Sequence, residues 1–168
     1  MQECILVMEK MFRSLARGEC VQPLRSIMWL PDRKGLLGMM PGYDKTAAVM
    51  GIKLISVFHG NKEKGHPSHQ GVVVLFDSNN GQPLMIFDAS EKTALRTAAA
   101  SALATKLLSR DDSGSLSIIG SGEQAERHID SILLVRKIRK INIWSRNEKN
   151  ATSLAGKISC RYSIPISV

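Results

Sequence analysis

The sequence SLSIIGSGEQAERH, residues 115–128, is the most informative stretch of the chain. Its apolar start predicts a short buried strand at Leu116–Ile119, and the residues that follow predict a helix at Glu123–Arg136. The turn between them has the spacing Gly-x-Gly-x-x-Ala: the first glycine permits a tight turn, and the second lets the backbone approach a pyrophosphate. Ala125 keeps the helix close to the strand, and the N–H groups at the helix N-terminus favour an anion. The motif predicts a dinucleotide-binding turn; a glycine-rich turn in another kind of α/β protein is the alternative.

The residues after the next predicted strand indicate which nucleotide this turn would bind. That strand is Ile141–Trp144, and Ser145, Arg146 and Asn147 follow it. A site for NAD normally has an acid here that accepts hydrogen bonds from the ribose hydroxyls, whereas a hydroxyl, a guanidinium and an amide suit a ribose 2′-phosphate. The pattern therefore favours NADP. The alternative is that Arg146 is a surface residue that contacts nothing.

Short strands and turns dominate the residues between about 20 and 88. The turn sequences are PDRKG (31–35), PGYD (41–44) and SNNG (78–81), the last a good hairpin connection. The polar stretch His59–Gln70 is predicted to be a long loop, either mobile or functional. The predicted strands are Ser26–Leu30, Gly35–Met40, Met50–Phe58, Gly71–Asp77 and Gln82–Asp88.

Helices are predicted on either side of these strands. Apolar residues at helical spacing predict an amphipathic helix over residues 1–18, closed by Gly18. Asp88 and Glu91 form a capping-box pattern at the start of a second helix, which runs to about Leu108. This second helix is rich in alanine, and its small side chains indicate close packing against another backbone.

A charged segment, SRDDSG at residues 109–114, marks the predicted domain boundary. Before it, residues 1–113 form a predicted α+β domain. After it, residues 114–168 begin with strand, glycine turn, helix and strand, and a weaker helix follows around residues 149–157. The predicted fold class is α/β, with the N-terminal α+β domain followed by the first part of a dinucleotide-binding Rossmann domain.

Length and composition limit the possible functions. The chain has 168 residues, 43% of them hydrophobic, so it is globular and long enough for one domain plus part of a second. Neither a membrane span nor a secretory signal is predicted. The three cysteines are far apart and suggest no disulfide framework, so we expect a reducing cytoplasm. The net charge of +8 permits an anionic partner such as a phosphorylated cofactor or an acidic metabolite.

Two other clusters, one of histidines and one of basic residues, are not predicted to be functional sites. His59, His66 and His69 share one loop, but their spacing matches no common metal site, so no metal is predicted. The basic run at residues 136–140 lies between a helix and a strand, where a helix C-terminus favours cations. It is interpreted as a solvated helix end, and binding to nucleic acid is not predicted.

Three cations lie in or beside apolar segments: Arg25, Lys53 in the strand GIKLISV, and Arg96 in the alanine-rich helix. A buried charge needs a partner, and a substrate carboxylate is one candidate, with Arg96 as a bidentate fork. From spacing alone, the alternative is that each cation reaches the surface or pairs with an acid.

Five stretches together resemble the ornithine cyclodeaminase/mu-crystallin family. They are PGY (41–43), G-x-K (51–53), HPSHQG (66–71), FDASEKTALRTAAASALATKLL (87–108) and IIGSGEQAERH (118–128). The resemblance extends from about Met11 to Val168. It implies a two-domain NAD(P)-dependent enzyme in which one domain binds the substrate and forms a homodimer, while the other is a Rossmann domain.

The resemblance also implies a role for individual residues. By position, the carboxylate of a small imino or amino acid would be held by Arg25, by Lys53, which is the predicted catalytic residue, and by Arg96. Ser68 and His69 would lie near the substrate, and Arg96 and Thr97 would contact the cofactor. The remaining cofactor residues would be Gly120, Ser121, Gly122, Glu123, Gln124, Ala125, Ser145, Arg146 and Asn147.

The strand before PGY bears on the reaction. Ornithine cyclodeaminases that are true deaminases have an acid there, whereas GLLGMMPGY is apolar up to Tyr43, as in the mu-crystallin branch. We therefore expect reduction of cyclic ketimines by hydride transfer, with NADP as cofactor and NAD as the alternative. The alternative reaction is conversion of L-ornithine to L-proline and ammonia.

The chain is shorter than the resemblance implies. The resemblance implies about 300 residues or more, and a six-stranded Rossmann domain needs more residues than follow Gly114. We therefore expect a truncated product or a partial sequence that is inactive alone. A non-catalytic fragment that at most binds nucleotide is the third possibility.

Overall fold

The structure is a computed structural model that describes the backbone of residues 1–168 and every side chain except those of Lys62, Ser90, Glu91 and Lys92. The Glu91 half of the predicted capping box therefore lies outside the described side chains. By its internal contacts the chain divides into two compact units, one of residues 10–93 and the other of residues 1–9 and 94–168. The domain boundary at residues 113 and 114 remains a prediction.

The unit of residues 10–93 is built around a six-stranded antiparallel sheet. Its strands run in the order β1, β3, β4, β5, β6, and β2 pairs with β3 beside β1. The strands are β1 (Cys20–Val21), β2 (Ser26–Trp29), β3 (Leu36–Asp44), β4 (Val49–Val57), β5 (His69–Asp77) and β6 (Pro83–Asp88). Helix α1 (Gln2–Ala16) precedes them, and a 3₁₀ helix (His59–Lys64) connects β4 to β5.

The predicted turn at residues 41–44 is wrong, because these residues extend β3. Pro41 pairs with Ile52 of β4, and Tyr43 pairs with Met50. The turn follows instead at residues 45–48, where the Asp44 carboxylate accepts hydrogen bonds from both the N–H and the hydroxyl of Thr46 at 2.8 Å. Nine residues of continuous pairing with β4 override the local turn preference of proline and glycine.

The hairpin between β5 and β6 confirms the prediction for residues 78–81. The Asp77 N–H donates to the Gln82 carbonyl at 2.9 Å, and Gly81 has a φ of +77°, which glycine adopts without strain. The polar stretch before β5 is less of a loop than predicted, because its first six residues are helical and strand pairing already begins at His69.

The other unit contains a three-stranded parallel sheet in the order β7, β8, β9. Helices α3 and α4 connect these strands, and their apolar faces pack on the sheet around Ile129, Ile141, Ile143, Leu154 and Ile158. Each such isoleucine contributes about 1.5–3 kcal/mol by leaving water. The elements are α2 (Ser90–Leu108), β7 (Ser115–Ile119), α3 (Glu123–Ile132), β8 (Lys140–Trp144), α4 (Glu148–Ser159) and β9 (Ile166–Ser167).

Two details of this unit differ from the sequence prediction. Helix α3 ends at Ile132, four residues before the predicted end, and turns continue the chain towards β8. The third strand was not predicted, because only two residues pair with β8 and Pro165 precedes them. The parallel order β7, β8, β9 is the arrangement expected of the first half of a Rossmann sheet.

The small residues of α2 pack closely, as predicted. Ala98, Ala99 and Ala102 are fully buried, and Ala99 and Ala102 lie in a cluster with Ile5 of α1 and Leu103. The Ala98 carbonyl accepts a hydrogen bond from Ser131 of α3 at 2.9 Å. Since alanine has so little side chain, the backbones of α2 and α3 can approach closely enough for this bond.

The basic run is not a solvated helix end at Arg136, so that interpretation is wrong for this residue. The Arg136 side chain is only 8% exposed. Its guanidinium donates to the carbonyls of Lys106 and Ser109 at 2.8 and 3.0 Å, and to the Ser109 hydroxyl at 2.9 Å. These carbonyls are at the C-terminal end of α2, so Arg136 caps that helix.

Candidate functional site

The glycine turn between β7 and α3 has the geometry that its sequence predicts. Gly120 has a φ of +122°, a conformation that favours glycine, and its N–H donates to the Trp144 carbonyl of β8 at 2.7 Å. This bond joins the turn to the end of the neighbouring strand. The turn therefore lies at the carboxyl edge of the parallel strands, where nucleotides bind in folds of this class.

The N-terminus of α3 is open to an anion. Gly122 is its N-cap residue, with extended backbone and, among the described side chains, none that caps the helix. A Cβ atom at Gly122 would meet no described atom within 4 Å, so open space lies beside it. The helix dipole and the first-turn N–H groups face this space, and these features fit a pyrophosphate.

Of the three predicted residues at the end of β8, Ser145 contacts this turn. The hydroxyl oxygens of Ser145 and Ser121 are 2.8 Å apart, so the structure brings together one residue of each predicted cofactor segment. Arg146 is exposed. Asn147 has a structural role as well, because its side chain caps α4 by accepting from the Asn150 N–H.

Lys53 is half-buried in the middle of β4, and its ammonium group is held in place. Nζ donates to the Thr93 hydroxyl at 3.0 Å. That hydroxyl in turn donates to the Ala89 carbonyl at 2.6 Å, so its oxygen faces Lys53 with a lone pair. A cation fixed in this way within an apolar strand is suited to binding a carboxylate.

Ser68 and His69 lie where β5 begins. The Ser68 hydroxyl is 3.0 Å from Nδ1 of His69, and the Ser68 carbonyl accepts from the Phe58 N–H at 2.8 Å. The rings of His59 and His69 meet edge to face at 6.3 Å. No group of three or more potential metal ligands is found among the residues with described side chains.

The remaining predicted residues are distributed over both units. Arg25 is exposed in the segment between β1 and β2. Arg96 and Thr97 belong to α2 and to the unit that contains the glycine turn, whereas Arg25, Lys53, Ser68 and His69 belong to the other. Arg96 is exposed and Thr97 is half-buried.

Thr93 was not among the residues predicted from the sequence. Its signal was the alanine-rich helix, in which a hydroxyl four residues after Ala89 is expected to bond the carbonyl of the preceding turn. The contact with Lys53 joins residues 40 positions apart, so it could not be read from local spacing.

The chain is similar to a family of known proteins over its whole length. Residues 1–168 match the sequence profile of the ornithine cyclodeaminase/mu-crystallin family. The chain belongs to this family. It is 36% identical over 141 residues to ketimine reductase mu-crystallin of Mus musculus, an alignment that covers 84% of the chain and 45% of the mouse protein. The chain spans about half the length of the curated relatives it matches.

Solved structures of family members share the fold. The Thermococcus litoralis Δ¹-pyrroline-2-carboxylate reductase, solved with NADH and L-proline, is 35% identical with a TM-score of 0.92, covering 99% of this chain and 51% of that one. An archaeal alanine dehydrogenase dimer with bound NAD is 30% identical with a TM-score of 0.93 and the same coverage. The predicted α/β fold class is thereby confirmed. None of the described helices is long and apolar enough to cross a membrane.

Proposed function

We propose that the whole protein is an NAD(P)-dependent oxidoreductase that reduces cyclic ketimines, or imino acids, by hydride transfer. The observation that carries the proposal is the 36% identity to a ketimine reductase over 84% of the chain. Two structural features support it: the open N-terminus of α3 would bind the cofactor, and the Lys53 ammonium would bind the substrate. The single measurement that tests it is oxidation of NADPH by a ketimine.

The cofactor would be held by the glycine turn and the end of β8. The pyrophosphate would meet the N–H groups of the first turn of α3, beside Gly120, Gly122 and Ala125. The ribose would lie near Ser145, and Arg146 is free to reach a 2′-phosphate because it is exposed. The nicotinamide supplies the hydride. NADP is the favoured cofactor; NAD is the alternative, since the two related structures are named with NADH and NAD.

The substrate would be held by its carboxylate. Lys53 would donate to one carboxylate oxygen, and we assign Arg25 and Arg96 to the same task by the family resemblance. Fixing the carboxylate orients the C=N carbon for attack and strengthens its electrophilic character. Ser68 and His69 would lie beside the ring.

A cyclodeaminase is the second candidate, since the family includes enzymes that convert ornithine to proline. The sequence of β3 argues against it, because its residues from Leu36 to Tyr43 carry no acid for the amino end of ornithine. A non-catalytic fragment that binds nucleotide is the third candidate. Ammonia release from ornithine would favour the second candidate, and nucleotide binding without turnover the third.

A homodimer is the proposed assembly, and the cytoplasm is the proposed location. The unit of residues 10–93 exposes large apolar side chains along β2 and β6, including Ile27, Trp29, Met85 and Ile86. A surface of this kind is typical of a protein–protein interface. The location rests on the three cysteines, which are all free thiols in the structure.

A further inference from the structure

Ser101 and His128 connect two helices of the nucleotide-binding unit, and neither residue has a role in the function proposed above. We infer that Ser101 and His128 form a positioning pair that holds the first turn of α3, and with it the glycine turn, against α2. The inference rests on the proposed cofactor site and assigns residues that fix its geometry.

Both nitrogens of the His128 ring are engaged. Nδ1 lies 2.6 Å from the Gln124 carbonyl oxygen, and Nε2 lies 2.9 Å from the Ser101 hydroxyl. A carbonyl can only accept a hydrogen bond, so Nδ1 carries a proton. In the neutral ring Nε2 is then an acceptor, and the Ser101 hydroxyl donates to it.

This arrangement acts on the turn that would meet the pyrophosphate. Gln124 is the fifth residue of the Gly-x-Gly-x-x-Ala motif, and its carbonyl belongs to the first turn of α3. The imidazole donates a hydrogen bond to that carbonyl through Nδ1, and it accepts one from Ser101 of α2 through Nε2. The direction in which the first-turn N–H groups point is therefore linked to the position of α2.

A second hydroxyl offers a matched control. Ser131 is fully buried on the same helix, close to its C-terminal end, and its hydroxyl lies 2.9 Å from the Ala98 carbonyl of α2 and 3.0 Å from the backbone carbonyl of His128, so it does not touch the imidazole. It joins the same two helices but lies farther along α3 from the glycine turn. A contact that matters only for packing should behave alike at both positions.

The test compares three variants of the full protein: Ser101→Ala, Ser101→Thr and Ser131→Ala. Dissociation constants for NADP⁺ and melting temperatures are measured for each. Ser101→Ala is expected to weaken nucleotide binding about five- to tenfold, because one oriented hydrogen bond is lost at the site. Ser101→Thr keeps the hydroxyl and should restore binding to within about twofold. Ser131→Ala should lower the melting temperature and leave the affinity within about twofold of the wild type.

Amide spectra recorded without nucleotide test the positioning role, and their outcome does not depend on the proposed function. In ¹H–¹⁵N correlation spectra without nucleotide, the Gly120 and Gly122 signals should move in Ser101→Ala and stay in place in Ser101→Thr and Ser131→Ala. A wild-type protein that binds no nucleotide would overturn the proposed function, and these shifts would still decide the positioning role. Unmoved glycine signals in Ser101→Ala, or equal effects of Ser101→Ala and Ser131→Ala on affinity, would overturn the positioning role.

Discussion

At the scale of single residues, Lys53 is the proposed binding group for the substrate carboxylate. Its ammonium lies within an apolar strand and is oriented by Thr93, whose hydroxyl accepts a hydrogen bond from Lys53 and donates one to the Ala89 carbonyl. The sequence alone placed Lys53 in the strand and left two alternatives, that it reaches the surface or that it pairs with an acid. Which partner it has could be learned only from the folded chain.

Replacing Lys53 tests whether its ammonium binds the substrate carboxylate. Lys53→Met in the full protein should lower kcat/KM for a ketimine by about 10²-fold, because a charge-assisted hydrogen bond contributes about 1.5–3 kcal/mol. The exposed Lys45, in the turn between β3 and β4, provides a control with the same change of charge. Steady-state kinetics of both variants decide: equal effects would mean that Lys53 does not bind the substrate.

Replacing Arg146 tests the choice of nucleotide. Arg146→Ala should weaken NADP⁺ binding about tenfold and leave NAD⁺ binding nearly unchanged, because only NADP⁺ has a 2′-phosphate for the guanidinium. Lys137→Ala removes the same charge from an exposed position before β8. Calorimetric titration with both nucleotides measures the ratio of affinities. If the ratio of the NADP⁺ and NAD⁺ affinities is unchanged in Arg146→Ala, Arg146 does not determine the nucleotide preference.

At the scale of elements, the cap at the end of α2 shows what local patterns miss. A run of basic residues after a helix usually indicates a solvated end, and Lys137, Arg139 and Lys140 are exposed. Arg136 differs because its acceptors, the carbonyls at the end of α2, come from residues 27 and 30 positions earlier. Local periodicity contains no information about such a partner.

Removing this cap should destabilise the protein. We expect Arg136→Ala to lower the free energy of unfolding by about 2–3 kcal/mol, because the buried guanidinium is the charged donor to two carbonyls at the end of α2. Arg136→Lys should recover only part of this, since an ammonium cannot form the same fork. Asp111 also pairs with Arg136 but is fully exposed, so Asp111→Asn should leave the free energy of unfolding nearly unchanged. Urea denaturation measures all three, and an Arg136→Ala protein as stable as wild type would refute the capping role.

The contact between α3 and the residues after α4 predicts an alkaline limit of stability. The Tyr162 hydroxyl donates to Asp130 at 3.0 Å. Burial, and then this bond to a carboxylate, raise the pKa of Tyr162 above its ordinary value of 10.0. The folded state therefore favours the protonated phenol, a contribution present below pH 10.0 and lost as the pH rises through the raised pKa.

Thermal unfolding as a function of pH checks this expectation. The melting temperature of the wild type should fall more steeply above pH 10 than that of Tyr162→Phe, which has no phenol proton to lose. Parallel curves for the two proteins would show that the Tyr162 phenol does not contribute.

At the scale of the whole molecule, the sequence predicted the fold class and the order of most elements because their patterns are local. The strand, glycine turn and helix at residues 115–132 form one unbroken unit of this kind. The extension of β3 through Pro41 and the short strand β9 escaped prediction, because both depend on pairing with a distant strand. The same holds for the candidate site. The motif residues could be predicted from the sequence, whereas Thr93, Ser101 and His128 could not, because their contacts join residues far apart in the chain.

The proposed reaction is the transfer of hydride to a cyclic ketimine. The most direct test incubates the full protein with NADPH and Δ¹-pyrroline-2-carboxylate and follows both nucleotide and product. We expect one NADPH to be oxidised for each L-proline formed, with no ammonia released from L-ornithine. Ammonia and proline formed from ornithine without net consumption of nucleotide would contradict it, as would nucleotide binding with no turnover of either substrate.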